Sequence, residues 1–233
     1  MESAPRIPEP YASKVFYYAQ HDILARASAG KSWTFCEIRP DAIVGFVPQN
    51  NAMNLAQALG LYLSLYRELE GEGAEVQFPY GEAAWTALHT DSSADLLGRF
   101  HVYASLNPER VDERTFNVVD SEPFAWKQLW HRLAEFFGLR GTGPGSVGTG
   151  GSAIKDWVHG HRGEWEGFVA KRGLKEGALE ATGFDFADAV MQIPFRRDMA
   201  SSARIEAGFA ELRDPYEGYR KAFEDMRRAR IIP

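Results

Sequence analysis

The residues best suited to binding a nucleotide lie in one glycine-rich run, Gly143-Pro144-Gly145-Ser146-Val147-Gly148. Its spacing matches that of dinucleotide-binding loops, in which a glycine turn follows a strand and opens a helix that faces the pyrophosphate. Here we expect the run to follow a helix, Pro144 stiffens the turn, and no acidic residue ends a second strand about 20 residues later. We therefore interpret it as part of a flexible loop over residues 141–151 and not as a nucleotide site.

A second group of candidate residues is His159-Gly160-His161 with Glu164 nearby, which could suggest metal ligands. A catalytic zinc site needs at least three converging ligands and an open position. Two histidines flanking a glycine in a polar stretch are more typical of a solvated loop. We predict no metal site.

Nucleophilic chemistry finds little support in the sequence. The single cysteine, Cys36, excludes an intrachain disulfide, and its neighbours Trp33, Phe35 and Ile38 indicate a buried strand residue instead of a reactive thiol. No Gly-x-Ser-x-Gly elbow is present. The segment Gly30-Lys31-Ser32 lacks the upstream glycine of a phosphate-binding loop and precedes a strand.

Composition narrows the class of protein. The chain has 233 residues, 45% of them hydrophobic and 25% charged, which suits a soluble globular protein. The net charge of -6 argues against nonspecific binding to nucleic acid, which needs a basic surface. No apolar run approaches the roughly 20 residues that cross a bilayer, so we expect no membrane association. Met1–Pro10 lacks the hydrophobic region of a signal peptide, and we expect a cytoplasmic protein.

Helices and strands alternate along the first part of the chain. We predict a helix over 11–29 with Phe16, Ile23, Leu24 and Ala27 on one side, ended by Gly30. A strand at 33–38 is broken by Arg39-Pro40 and followed by a short apolar run at 42–46. A helix over 52–69 follows, with its apolar residues at helical spacing.

The alternation continues after residue 70. Residues 75–78 indicate a short strand, and Ser92 with Asp95 resembles a capping box that opens a helix to about residue 105. A strand at 116–119 precedes a helix that starts near Pro123 and carries an apolar stripe. That stripe comprises Trp126, Leu129, Trp130, Leu133, Phe136 and Phe137. Beyond residue 152 the chain is expected to be mainly helical. The pattern predicts an α/β fold with a parallel sheet.

One segment carries a family resemblance, Phe16-Tyr17-Tyr18-Ala19-Gln20-His21-Asp22-Ile23-Leu24. It resembles the Phe-Tyr-Tyr-x-x-Glu-Asp-Ile signature of progesterone 5β-reductase and iridoid synthase-like (PRISE-like) reductases, which are atypical extended short-chain dehydrogenases. The likeness continues at 39–54, resumes at 116–118, and returns at 126–138. It covers roughly residues 4 to 140 in family order. His21 departs from the signature, which has an acidic residue there.

The resemblance implies reduction of an enone or carbonyl of a small molecule, with NADPH as hydride donor and NADH not excluded. It implies that the Tyr17 hydroxyl is catalytic and hydrogen-bonds the substrate carbonyl, where charge builds as hydride arrives. The alternative is a packed aromatic whose hydroxyl is satisfied by backbone. Tyr17 would also touch the cofactor, with Pro40 and Ile43 along the nicotinamide. Asn50, Asn51, Ala52 and Met53 would line the cofactor at a helix beginning at Ala52, with an uncertainty of one residue.

The resemblance also sets an expectation for the domains. Residues 1–140 would form the C-terminal part of a Rossmann-like NAD(P)-binding domain, 141–151 a glycine-rich loop, and 152–233 a mainly helical substrate-side region. The family's N-terminal half, with its glycine-rich loop and supporting lysine, has no counterpart here. This favours an alternative, a truncated noncatalytic remnant or binding module. We also expect exposed apolar faces, covered by a partner chain or by self-association.

Overall fold

The computed structural model describes residues 5–49, 52–145 and 154–233. Its strands are β1 (Glu37–Pro40), β2 (Ala42–Val44), β3 (Glu75–Gln77), β4 (Asp91–Ser93), β5 (Thr115–Val118) and β6 (Arg140–Thr142). They form three parallel pairs, β1 with β5, β2 with β4, and β3 with β6. The predicted α/β fold with parallel strands is confirmed.

The helices contain more of the described residues than the strands do. After a 3₁₀ turn at Ala12–Lys14, the helices up to the glycine-rich run are α1 (Phe16–Ser28), α2 (Leu55–Glu70), α3 (Glu82–Thr86), α4 (Ala94–Leu106), α5 (Pro108–Val111) and α6 (Trp126–Phe136). Those beyond it are α7 (Ile154–Gly160), α8 (Arg162–Arg172), α9 (Phe184–Met191), α10 (Ser202–Glu206) and α11 (Pro215–Arg228). The predicted helical character after residue 152 is confirmed. The division into domains at 141–151 stays a prediction.

Helix α2 is the centre of the larger core, since every residue from Leu55 to Leu65 is buried. A segment that is buried on every side, including its polar residues Gln57 and Ser64, needs neighbours all round. Helix α11 approaches it closely at Gly60, where an added Cβ would meet the Met226 sulfur at 3.4 Å and the Phe223 ring at 3.5 Å. Residues Ile231 and Ile232 are buried in the same core.

The start of α2 corrects the expected one. The helix begins at Leu55 and not at Ala52, because the Asn54 side chain accepts a hydrogen bond from the Gln57 backbone N–H at 3.0 Å. Asparagine is among the favoured N-cap residues, and this contact satisfies one of the unpaired amides of the first turn. Ala52 lies in the turn before the cap.

Helix α6 buries the predicted apolar stripe. Trp126, Leu129, Trp130, Leu133 and Phe137 are buried, and Phe136 is partly buried against the same core. The Trp130 indole N–H donates to the Val76 carbonyl at 3.1 Å, which ties α6 to β3. The helix starts at Trp126 and not at Pro123, since the backbone N–H of Ala125 is capped by the Gln128 side chain at 2.7 Å.

Two further boundaries differ from the sequence prediction. Strand β1 begins at Glu37 and includes Arg39 and Pro40, which were expected to break it. Proline is tolerated because β1 pairs on one side only within the described residues and ends at Pro40. Ser93, not Ser92, caps α4, accepting from the Leu96 N–H at 3.3 Å. Ser92 lies in β4 and donates to the Val118 carbonyl at 2.7 Å.

The glycine-rich run lies in a different context from the expected one. It follows β6, so the expectation that it follows a helix was wrong. Gly141 and Thr142 belong to that strand, and Gly141 packs against α6, where an added Cβ would lie 2.9 Å from the His131 Cα. The remainder of the run, residues 146–153, falls outside the described residues.

A second core cluster lies between α4, β5 and α10 and includes Phe100, Phe116 and Phe209. Beside it, Arg204 of α10 is fully buried. Its guanidinium donates to the carbonyls of Phe209 at 3.0 Å, Glu211 at 2.6 Å and Val119 at 3.0 Å. One buried arginine therefore organises the segment that joins α10 to α11.

Helix α1 differs from the others in its exposure. Ser28 is its only buried residue, whereas Phe16, Tyr17, Ile23 and Leu24 are all more than 40% exposed. The predicted apolar side of this helix therefore faces outward in the described structure. No helix in the described ranges combines the length and the apolar character that spanning a bilayer requires.

Candidate active site

A cavity of about 880 Å³ runs along the whole of β1 and past the carboxyl end of β2. Ligands of parallel α/β sheets bind at this end of the strands. The lining combines β1, Asp41 and β2 with residues of α1 and with residues around α9. Most of its exposed surface is apolar, which suits a small organic ligand.

Tyr17 lies in the first turn of α1 and lines the cavity. Its ring packs against Phe16 with centroids 4.0 Å apart, and the residue is 59% exposed. Within the described residues its hydroxyl makes no hydrogen bond, so it is available to a ligand. The alternative expectation, a packed tyrosine satisfied by backbone, does not describe this geometry.

Tyr18, next along the helix, has a different environment. Its hydroxyl accepts a hydrogen bond from the Ile7 backbone N–H at 3.2 Å, and the Arg6 guanidinium lies 4.9 Å from its ring centroid. Tyr18 also lines the cavity, but its hydroxyl is bonded to the segment that precedes α1, whereas the hydroxyl of Tyr17 makes no hydrogen bond within the described residues.

His21 lies one helical turn after Tyr17 and lines the same cavity. Its Nδ1 is 3.3 Å from Oε2 of Glu37 on β1, an ion-pair distance when the imidazole is protonated. Glu37 also accepts from Arg39 at 2.8 and 3.0 Å and from Thr115 at 3.2 Å. Burial opposes ionisation of Glu37, but the Arg39 and Thr115 hydrogen bonds outweigh it and lower the pKa. A carboxylate thus stands beside the histidine.

The predicted cofactor residues divide into three groups. Pro40, Ile43 and Met53 line the cavity together with Tyr17. Ala52 does not; its carbonyl oxygen would lie 2.0 Å from a Cβ added at Gly183, so its turn packs against the loop before α9. Residues 50 and 51, where Asn50 and Asn51 were expected to contact cofactor, lie outside the described part of the chain.

A further part of the cavity lining, residues 186–197, was not predicted from the sequence. Phe186, Val190, Ile193 and Arg197 all line it, and Arg197 forms an ion pair with Asp41. The sequence offered no signal for this wall, because nothing in the local pattern separates Arg197 from the neighbouring, exposed Arg196. Only the long-range pairing with Asp41 distinguishes the two.

Three residues considered for other chemistry have structural surroundings. His159 lies in the last turn of α7 and His161 precedes α8, with its ring 4.3 Å from that of Trp157, so this segment is a helix junction and not the expected loop. Cys36 precedes β1, lines the cavity and is half-buried, not a buried strand residue. Burial raises the pKa of its thiol, which disfavours the thiolate.

A buried carboxylate pair lies outside the cavity lining. Asp91 and Asp120 are both buried, and Asp91 accepts a hydrogen bond from Tyr219 at 3.0 Å. Burial raises the pKa of Asp91 to about 7; the Tyr219 hydrogen bond lowers it and the charge of Asp120 raises it. Burial also raises the pKa of Asp120, against hydrogen bonds from Ser93.

This pair makes the free energy of unfolding depend on pH. A carboxyl whose pKa is higher in the folded state keeps its proton there after the unfolded chain has lost it, so stability falls as pH rises toward 7. We expect a loss of about 2 kcal/mol between about pH 5.5 and pH 8 from Asp91 alone. Urea unfolding at both pH values measures it.

Asp91→Asn removes the titrating group and should abolish most of the slope of the free energy of unfolding against pH. The remainder of that slope is due to Asp120. Asp112→Asn, at an exposed aspartate whose side chain makes no hydrogen bond or ion pair within the described residues, serves as the control and should keep the wild-type slope. An unchanged slope in Asp91→Asn would show that the carboxyl is ionised in the folded protein.

Comparisons with known proteins agree with this architecture. The family described as PRISE-like Rossmann-fold domain matches residues 1–233. The short chain dehydrogenase sirQ of Leptosphaeria maculans is 32% identical over 235 residues, covering 100% of this chain and 58% of that protein. The 3-oxo-Delta(4,5)-steroid 5-beta-reductase of Arabidopsis thaliana is 30% identical over 220 residues, covering 94% of this chain and 55% of that protein. The (S)-8-oxocitronellyl enol synthase ISY1 of Nepeta racemosa is 30% identical over 235 residues, covering 100% of this chain and 57% of that protein.

The chain spans between 55% and 58% of the length of these three relatives and aligns with their C-terminal part. The resemblance drawn from residues 16–24 and the later segments is thereby confirmed. The chain belongs to the PRISE-like Rossmann-fold family, whose relatives include short-chain dehydrogenases.

Proposed function

We propose that this protein is an NAD(P)H-dependent reductase of the short-chain dehydrogenase type, acting on the enone or carbonyl of a small molecule, in specialised metabolism. The observation that carries the proposal is the convergence of Tyr17, Pro40, Ile43 and Met53 on one cavity. The printed functions of relatives, a steroid 5-beta-reductase and an enol synthase, support this substrate class.

The residues present fit a nicotinamide group. Pro40, Ile43 and Met53 offer apolar surface to a flat ring, and Asn54, which caps α2, lines the same cavity. Asn50, Asn51 and Ala52 precede that helix N-terminus, whose dipole suits a phosphate. When bound, NADPH (or NADH) would supply the hydride for the reduction.

Tyr17 acts on the substrate oxygen in this proposal. Negative charge builds on the carbonyl oxygen as the substrate accepts hydride, either at the carbonyl carbon or at the β-carbon of an enone. A hydroxyl donor aimed at that oxygen stabilises the transition state more than the ground state. The hydroxyl of Tyr17 makes no bond within the described structure and needs no rearrangement to donate.

Binding of NADPH to the purified 233-residue chain, measured by calorimetry, tests the proposal. We expect a micromolar Kd, with reduced nicotinamide mononucleotide competing because the named residues would contact that end of the cofactor. Ile43→Asp, which places a charge in the lining, should weaken binding about tenfold or more. Val102→Asp, at an exposed apolar residue of α4 away from the cavity, is the matched control. Failure of the folded wild-type chain to bind would overturn reductase activity of this chain.

A second candidate is a noncatalytic binding module. It is favoured by the absence of any lysine among the described residues that line the cavity beside Tyr17. Lys14, three residues before Tyr17, belongs to the 3₁₀ turn and does not reach the lining. Binding of a small enone without turnover in the presence of NADPH would support this candidate.

The exposed side of α1 supports a further part of the proposal, a protein partner. Phe16, Ile23 and Leu24 present apolar surface to solvent, and β1 pairs on one side only in the described residues. Surfaces of this kind favour association. We propose that a partner chain or self-association covers them.

A further inference from the structure

Arg197 is fixed at the cavity wall by its backbone. Its N–H donates to the Leu88 carbonyl at 2.8 Å, and its carbonyl accepts from the Thr90 N–H at 3.3 Å. These two bonds join the segment after α9 to the segment that leads into β4. The direction of the Arg197 side chain is therefore set by the framework of the fold and not by a loose loop.

The side chain is held in turn by Asp41, which lies between β1 and β2. Asp41 accepts hydrogen bonds from the Ala42 backbone N–H at 2.8 Å and from the Thr90 hydroxyl at 2.7 Å, as well as from Arg197 Nη1. The carboxylate is only 9% exposed. It therefore neutralises the guanidinium and leaves little freedom to either partner.

Part of the guanidinium remains available to a ligand. The Arg197 side chain is 24% exposed, and within the described structure its only side-chain hydrogen bond is the one to Asp41. A guanidinium has five N–H donors in a planar fork. The surrounding wall is apolar, formed by Phe186, Val190 and Ile193. Asp41 also lines the cavity, but its carboxylate is engaged by Ala42, Thr90 and Arg197, so the unused donors of Arg197 are the polar groups offered to a ligand beside these apolar residues.

The charge balance selects the chemistry of the acceptor. Because Asp41 already compensates the arginine, an anionic ligand would bring an excess negative charge beside a buried carboxylate. An uncharged oxygen, such as a carbonyl or hydroxyl oxygen, accepts the same hydrogen bonds without that cost. Tyr17 lies on α1, and no hydrogen bond, ion pair or ring contact between described residues joins α1 to the wall at 186–197. Tyr17 and Arg197 thus lie on different elements of the lining.

We propose that Arg197 binds a second, uncharged oxygen of the substrate, while Tyr17 binds the oxygen of the group that is reduced. The substrate class is then a largely apolar molecule with two separated oxygen functions. This inference rests on the proposed function for the role of Tyr17, but it concerns binding and does not require turnover.

Two steroids that differ in one oxygen test the inference. Androst-4-ene-3,17-dione and androst-4-en-3-one share the enone, and only the dione has a carbonyl on carbon 17. We expect the wild-type chain to bind the dione about tenfold more tightly, measured by quenching of tryptophan fluorescence. Arg197→Met should remove this difference by weakening the dione alone. Arg196→Met, at the neighbouring exposed arginine that pairs with Asp198, should retain it.

Arg197→Met leaves Asp41 without its charged partner and could destabilise the fold, so a second variant tests the same subsite without an unpaired charge. The double variant Asp41→Asn, Arg197→Gln keeps neutral partners in place and should also lose most of the preference. Tyr17→Phe should weaken both steroids equally and leave their ratio unchanged.

Several results would overturn the inference. They are equal wild-type affinities, a preference that persists in Arg197→Met, and no binding of either steroid up to its solubility. Tighter binding of the 17-carboxylate analogue than of the dione would overturn an uncharged acceptor. A preference that depends on Arg197 without NADPH oxidation would support the subsite and count against the reductase, so the two failures are distinguishable.

Discussion

Replacing Tyr17 by phenylalanine is expected to lower kcat for enone reduction by about 100- to 1000-fold, the loss typical of removing one donor to a developing oxyanion. The phenyl ring keeps the packing against Phe16, so folding should be unaffected. NADPH binding should weaken no more than the loss of one neutral hydrogen bond allows, about tenfold at most. Initial rates of NADPH oxidation with androst-4-en-3-one, together with calorimetry, measure both quantities.

Tyr18→Phe is the matched control, since its hydroxyl accepts from Ile7 and faces the segment before α1. It should change kcat by only a small factor. Equal effects of the two substitutions on kcat would show that the Tyr17 hydroxyl has no special role in the reaction. A wild-type chain that binds NADPH but does not turn over would instead favour the binding module.

Replacing Arg204 by methionine is expected to lower the free energy of unfolding by about 3–5 kcal/mol, the range for leaving buried groups without their charged partner. The substitution leaves the carbonyls of Val119, Phe209 and Glu211 without the guanidinium, the first two at buried positions. It also removes a positive charge that favours ionised Asp120. Urea unfolding followed by tryptophan fluorescence measures the loss.

Arg99→Met provides the comparison, because Arg99 pairs with Asp95 and Glu211 at the surface. Exposed ion pairs contribute about 0–1 kcal/mol, so this variant should stay near wild type. If Arg204→Met were no more destabilising than Arg99→Met, water would have to replace the guanidinium at all three carbonyls.

The sequence predicted the elements that periodicity defines. The stripe of α6 and the apolar face of α2 recur at helical spacing, and both helices exist with most of those residues buried. The exceptions lie toward the helix ends, where Tyr66 and Phe136 are partly buried and Leu69 is exposed. The residues at which helices begin could not be predicted as well. A cap by Asn54 or Ser93 depends on which of several neighbouring polar residues reaches the first turn, and local composition does not decide between Ser92 and Ser93.

Some residues of the candidate site could likewise be predicted from the sequence, and others could not. Tyr17, Pro40, Ile43 and Met53 lie in segments that resemble the family, and the structure brings them to one cavity. Arg197 lies far along the chain, in a segment without a recognisable pattern, and its environment depends on Asp41 and Thr90. Contacts between distant segments leave no local trace in one sequence, so this wall required the fold.

The burial of α2 on all sides also bears on how the chain folds during synthesis. Leu55–Leu65 leaves the ribosome well before α11, whose Met226 and Phe223 provide the surface that closes over Gly60. Until α11 is made, this buried segment of α2 stays partly uncovered, as is usual for contacts between distant parts of a chain. We therefore expect chaperones to bind the nascent chain in the interval between the synthesis of α2 and that of α11.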